Sequence, residues 1–198
     1  STWPMAPSLK TIQLIFLGYS ESFSGGSHQK SLHGSSPDAG ANTWVASKAW
    51  KANGTIAEGS DADDDDSAFL PFVPSTGNVY TLTATVTVPT GGQIDADWIG
   101  LGFTNAAKTG SNSKNLGFFG KPNDASPWVL YRATTEVKTF AGPGATAWAI
   151  EGQFEGPSVN LSIQLDTREA QWTAGWFVNG SSVRTETFVS NPPIAYVG

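Results

Sequence analysis

The sequence predicts an all-β protein, a two-sheet antiparallel β-sandwich, on three observations. Residues Val79 to Pro89 read VYTLTATVTVP, so Tyr80, Leu82, Ala84, Val86 and Val88 share one side of an extended strand and Thr81, Thr83, Thr85 and Thr87 the other. A period of two is what a half-buried strand requires, because successive side chains point to opposite faces. The alternation returns in Val159 to Asp166, where Val159, Leu161, Ile163 and Leu165 interleave with Asn160, Ser162, Gln164 and Asp166. Finally, Asn179-Gly180 stands between two extended runs, a strong short-range hairpin signal. No helical periodicity of useful length competes, and turn signals recur roughly every 8–12 residues, as in sandwiches and jelly rolls.

The elements follow in order. Thr11 to Leu17 (TIQLIFL) reads as a first strand rather than as the remnant of a signal sequence, since one Lys10 flanks it and no A-x-A site follows. A short strand is expected near Glu21 to Phe23, then a long Gly- and Ser-rich loop, then a strand near Thr43 to Trp50 closed by Asn53-Gly54. SAFLPFVP leads into the Val79 strand, which Gly91-Gly92 ends. In Trp98 to Phe103, Ile99, Leu101 and Phe103 share one face while Gly100 and Gly102 share the other with Trp98. Two glycines on one face admit close approach by another backbone or a ligand. Leu116 to Gly120, Trp128 to Ala133, Trp148 to Ile150, Gln171 to Val178 and Val183 to Val189 complete the set. No linker, repeat or composition break interrupts residues 1–198, so one domain is expected, with residues 1–19 as an N-terminal extension or extra edge strand.

Composition narrows the function classes. The 198 residues have a net charge of −6, against the basic patch of a nucleic-acid surface and against electrostatic docking on anionic lipid. No apolar run is long enough for a membrane-spanning helix, so neither nucleic acid nor membrane insertion is expected. With Cys 0, disulfides and Cys-ligated metals are excluded. Only 14% of residues are charged; the surface must be built from Ser, Thr, Asn and Gly, which suits neutral, hydroxyl-rich partners.

The segments ESFSGGS…SLHGSSPDAGANTWVAS, VYTLTATV…DWIGLGF and VNLSIQLD…WFVNGSSV…IAYVG resemble the concanavalin A-like, laminin-G-like jelly rolls of bacterial exported proteins. The resemblance spans Glu21 to Gly198 and rests on loose strand patterns. It implies a jelly roll at the cell surface or outside the cell, binding glycans or serving as an adhesive or spacer module; some relatives are glycoside hydrolases or polysaccharide lyases. Such relatives continue after a stretch like IAYVG into a closing strand beside the first. Here either TIQLIFL fills that edge or a neighbouring copy supplies the strand, giving self-association through an open sheet edge.

Sugar recognition needs flat aromatic surface ringed by polar groups. The chain has 8 Trp, more than the core of such a domain requires. Trp172 and Trp176 share a strand face and read as core. Trp128 follows a polar loop and shares a face with Leu130 and Arg132; Trp148 follows the AGPGATA loop. Trp128, Arg132, Trp148, Asn123 and Asp124 are therefore the expected ligand-binding residues. The run Asp61 to Asp66, with Asp61, Asp63 and Asp65 at alternate positions, reads either as a solvated acidic loop or as a Ca²⁺ site, since hard cations take oxygen ligands. It lacks the Gly and the terminal Glu of an EF-hand loop. No catalytic residue is assigned: no G-x-S-x-G elbow occurs, the E-x-D-x-x-E pattern of laminarinase-type jelly rolls is missing, and neither Glu151/Glu155 nor Asp95/Asp97 matches a glycosidase pair. His28 and His33 sit in a Gly/Ser loop without a third ligand. The function expected is non-catalytic polysaccharide recognition, with an adhesive surface protein as the second reading and a polysaccharide-active enzyme as the third.

Overall fold

A computed structural model describes residues 8–15, 19–23, 30–47, 50–52, 57–59, 67–88, 98–105, 125–142, 148–154 and 156–198. Their regular structure is entirely β. In chain order the strands are β1 (Ser8–Ile15), β2 (Tyr19–Glu21), β3 (Lys30–Ser31), β4 (Val45–Ala46), β5 (Trp50–Ala52), β6 (Ala57–Gly59), β7 (Ala68–Pro71) and β8 (Val79–Thr87). They continue as β9 (Trp98–Thr104), β10 (Ala125–Arg132), β11 (Glu136–Phe140), β12 (Trp148–Gln153), β13 (Ser158–Asp166), β14 (Thr173–Val178), β15 (Ser181–Thr187) and β16 (Tyr196–Val197). One sheet runs β15-β14-β13-β8-β1-β6-β5-β3, with β2 also on β1; the other runs β12-β11-β10-β9-β16-β7-β4. Every pairing between them is antiparallel.

The alternating strands behave as their spacing requires. On β8, Tyr80, Leu82, Ala84 and Val86 are buried while the intervening Thr residues are half-buried. On β13, Val159, Leu161, Ile163 and Leu165 are buried, and Ser158, Asn160 and Gln164 are exposed. Facing them, Ile99, Leu101, Phe103, Val129, Tyr131 and Val137 of the second sheet complete one apolar core. Each large aliphatic side chain buried there contributes about 1.5–3 kcal/mol, so sandwich closure follows from the two inward faces.

The N-terminal strand is interior, not an edge. β1 pairs along β8 from Ser8↔Thr87 to Ile15↔Thr81. Its other side is taken by β6 at Ser8 and Leu9 and by β2 at Ile12 to Leu14. The slot beside β8 is thus filled from within the same chain. The β15 edge discourages added strands by other means. Its register slips between Trp176 and Phe177, and Arg184, opposite Trp176, reaches the other sheet, donating from Nη1 to Thr139 Oγ1 at 3.3 Å. Bulges and inward-pointing charges are recognised ways to blunt an edge.

Candidate functional site

The second sheet has two apolar faces, and this sets it apart from the first. Its inward side belongs to the core. On its outward side Phe69, Trp128 and Leu130 form a separate buried cluster, with Val45, Trp98, Phe140 and Tyr196 packed on it and partly exposed. Strand register explains the grouping. Trp128 pairs with Phe140 on one side and Gly102 on the other, and Arg132 pairs with Trp98. Tyr196 of β16 pairs with Thr104 and Pro71, and Val45 of β4 with Phe69.

Trp128 and Phe140 stack with ring centroids 3.7 Å apart and an interplanar angle of 5°. Trp98 leans on Trp128 at 6.2 Å and 47°. The stack needs the glycine opposite: a Cβ on Gly102 would collide with the Trp128 Cβ and stand 2.8 Å from the Pro127 carbonyl oxygen. The close approach expected at Gly100 and Gly102 is therefore made, at Gly102, by the chain's own Pro127–Trp128 segment. Along the same face, at the β10–β11 end, lie three charged side chains. Arg132 Nε is 3.8 Å and Lys138 Nζ 3.4 Å from Glu136 Oε2, all three partly accessible.

Of the residues expected to bind ligand, the structure thus brings Trp128 and Arg132 onto one outward face. Trp128 is only 9% exposed, so it supports the accessible rings of Trp98 and Phe140 rather than presenting its own. Trp148 stands in β12 opposite Thr139. Asn123, Asp124 and the run containing Asp61, Asp63 and Asp65 lie outside the described residues. Sequence reasoning missed Phe140 because β11 carries no Gly, Asn or Pro turn signal before it; Thr135 makes the turn in the left-handed region (φ 68°), which β-branched residues rarely adopt. Tyr196 and Phe69 were missed because IAYVG and SAFLPFVP are too short to show alternation.

A second electrostatic feature lies at β2. The Glu21 side chain is buried, its Oε1 accepting the Phe23 N–H at 2.6 Å and its Oε2 the Trp44 indole N–H at 3.3 Å. Burial pushes its pKa upward, and the nearby Asp38 carboxylate pushes the same way; the hydrogen bonds from Phe23 and Trp44 oppose this only in part. Asp38 in turn accepts from the Ser22 N–H and hydroxyl. Together these bonds clamp the segment from Leu32 to Trp44 onto β2. Each Glu21 oxygen holds a donor, so the carboxyl ties Phe23 and Trp44 to β2. His33 is likewise committed, its Nδ1 accepting the Ala46 N–H at 3.2 Å. Among the described residues no group of three or more His, Cys, Asp or Glu is placed to hold a metal ion.

In comparison with known proteins, the chain matches no family model, no curated protein and no solved structure. Its function must accordingly be argued from the geometry of its own surfaces. No helix among the described residues is long and apolar enough to cross a membrane.

Proposed function

We propose that this chain is a non-catalytic carbohydrate-recognition module of an exported protein, taking polysaccharide on the outward face of its second sheet. The carrying observation is the aromatic group outside the sandwich core: Trp98, Phe140 and Tyr196 partly exposed over a buried Trp128. Aromatic rings offer the flat apolar surface that the C–H face of a pyranose covers, at little entropic cost because each has only two χ angles. Arg132, Glu136 and Lys138, grouped beside them, supply donors and acceptors for hydroxyls. A rigid sheet holds both sets in register, the preorganisation from which affinity gains most. The resemblance to concanavalin A-like jelly rolls supports the same reading.

The test is native gel electrophoresis through gels cast with a panel of soluble polysaccharides. At least one should retard the wild type. Trp98→Ala and Phe140→Ala should each lose most of that retardation, since stacking of this kind is worth about 0.5–1.5 kcal/mol beyond burial. Equal mobility of wild type and both variants in every gel would remove the proposal.

A further inference from the structure

The outward face of the larger sheet has the opposite character, and nothing in the reading above uses it. On β8 it presents Thr81, Thr83, Thr85 and Thr87. On β13 it presents Ser158, Asn160, Ser162 and Gln164. Register brings these strands side by side, with Thr85 opposite Asn160, Thr83 opposite Ser162 and Thr81 opposite Gln164. Beyond them β14 adds Thr173, Gly175 and Phe177, and β15 adds Ser182, Thr185 and Thr187. On this face the four adjacent strands carry a single formal charge, Asp166 at the last position of β13, opposite Thr173 and Val79, in a chain of net charge −6. That carboxylate is paired with Arg168 at 2.6 Å, at one end of the face.

The face is also ordered. Thr87 and Ser158 hydroxyls bond at 2.6 Å, Thr173 and Thr187 at 3.2 Å, and the Thr83 hydroxyl donates to Asn160 Oδ1 at 3.3 Å. Thr is stiff at χ1, so these hydroxyls stand in a grid of roughly 4.8 Å between strands and about 6.8 Å along them. Each bonded hydroxyl keeps acceptor capacity for a ligand. Phe177 lies over Gly175, whose Cβ would stand 3.2 Å from the ring; this places one flat apolar ring among Ser162, Gln164 and Thr185.

We infer that this face, uncharged except for the Asp166–Arg168 pair at its end, is a second binding surface, for an extended neutral polysaccharide. Charge matching selects the ligand class: apart from Arg168, whose charge Asp166 already balances at one end, the face offers no cation to compensate a uronate, sulfate or phosphate, whose desolvation would go unrewarded. The preset hydroxyls and the Phe177 ring suit uncharged sugar. The domain then carries sugar sites on its two opposite outer faces, a geometry that bridges chains.

The test is co-sedimentation of the full chain with insoluble cellulose, β-1,3-glucan and chitin, each in wild type and in a Trp98→Ala background that weakens the other face. Gln164 and Thr185 are exposed, so Gln164→Lys and Thr185→Lys should fold normally, which thermal melting checks. Each should lower the partition to the bound polysaccharide at least about tenfold, or 1.4 kcal/mol, in both backgrounds, while Thr185→Ser should restore it. Partition unchanged by both lysines would overturn the inference while leaving the aromatic face in place. Failure of the wild type to sediment with any of the three would overturn it as well, and soluble polysaccharide retardation would still judge the aromatic face separately.

Discussion

The indole N–H of Trp176 donates to the backbone carbonyl of Trp128 across the sandwich, at 3.0 Å. Trp176 belongs to β14 of the larger sheet and is fully buried; Trp128 belongs to β10 of the other. This hydrogen bond, like that from Arg184 to Thr139, joins the two layers, and it fixes the backbone from which the outward Trp128 ring projects. The core thereby orients the stack on which Trp98 and Phe140 rest.

Replacing Trp176 by Phe should keep most of the apolar burial yet remove the indole hydrogen bond to the Trp128 carbonyl. Loss of one intramolecular hydrogen bond costs about 0.5–1.5 kcal/mol. Urea denaturation should show that loss, and Trp176→Ala should lose about 3–5 kcal/mol. A Phe variant as stable as wild type would mean the cross-sheet bond carries no weight.

Gly102→Ala should destabilise the fold by at least about 1–3 kcal/mol, the usual cost of forcing an added methyl into a filled site, because the new Cβ meets the Trp128 Cβ and the Pro127 carbonyl rather than a movable side-chain tip. Gly142→Ala provides the contrast, its nearest neighbour being Ser126 Oγ at 3.4 Å. Thermal melts of the two variants should differ clearly, with Gly102→Ala the lower.

Arg184 lies over the Trp176 ring, 5.0 Å from its centroid, donates to Thr139 and pairs with Glu186 at 2.9 Å. Arg184→Ala removes these contacts and the inward charge that guards the β15 edge. A stability loss of about 1–2 kcal/mol is expected, within the range for partly desolvated cation–π contacts. Concentration-dependent association in sedimentation should also increase. Unchanged stability and a strictly monomeric variant would show that neither contribution exists.

Glu21 sets a pH dependence whose sign can be worked out. Its folded pKa is raised above the ordinary 4.5, so the folded state holds this proton more tightly than the unfolded state. Its favourable contribution is full below about 4.5 and is lost as pH rises through the folded value. Relative to Glu21→Gln, the wild type should therefore gain stability on acidification from pH 7 toward 4.5. Asp166, held low chiefly by its Arg168 hydrogen bonds, has the opposite sign. It loses stability only as pH falls below the ordinary 3.8 toward its folded value, so the two windows separate. Parallel stability–pH curves for wild type and Glu21→Gln would contradict the assignment.

The layers were legible in the sequence where burial alternates strictly, as at Tyr80 to Val88 and Val159 to Leu165, because one face of those strands meets solvent. The hairpin at Asn179-Gly180 was legible because both residues take positive φ, 49° and 80°. The aromatic face was less so. Trp128, Phe69 and Leu130 are buried on the side of the sheet away from the core, so apolar residues occur on both faces of these strands and periodicity loses its contrast. Exposure was misjudged for the same reason: Trp128 follows a polar loop, yet Phe140 and Trp98 cover it. The interior position of β1 depends on pairings with β8, β2 and β6, which no local pattern encodes.

The most direct measurement follows tryptophan indole N–H resonances of ¹⁵N-labelled protein during titration with oligosaccharides from the polysaccharide that retards it best. The Trp98 signal should shift in a saturable way, whereas those of Trp176 and Trp44, buried in the core and bonded to the Trp128 carbonyl and Glu21, should stay in place. A stationary Trp98 signal at saturating sugar would contradict recognition through the aromatic face.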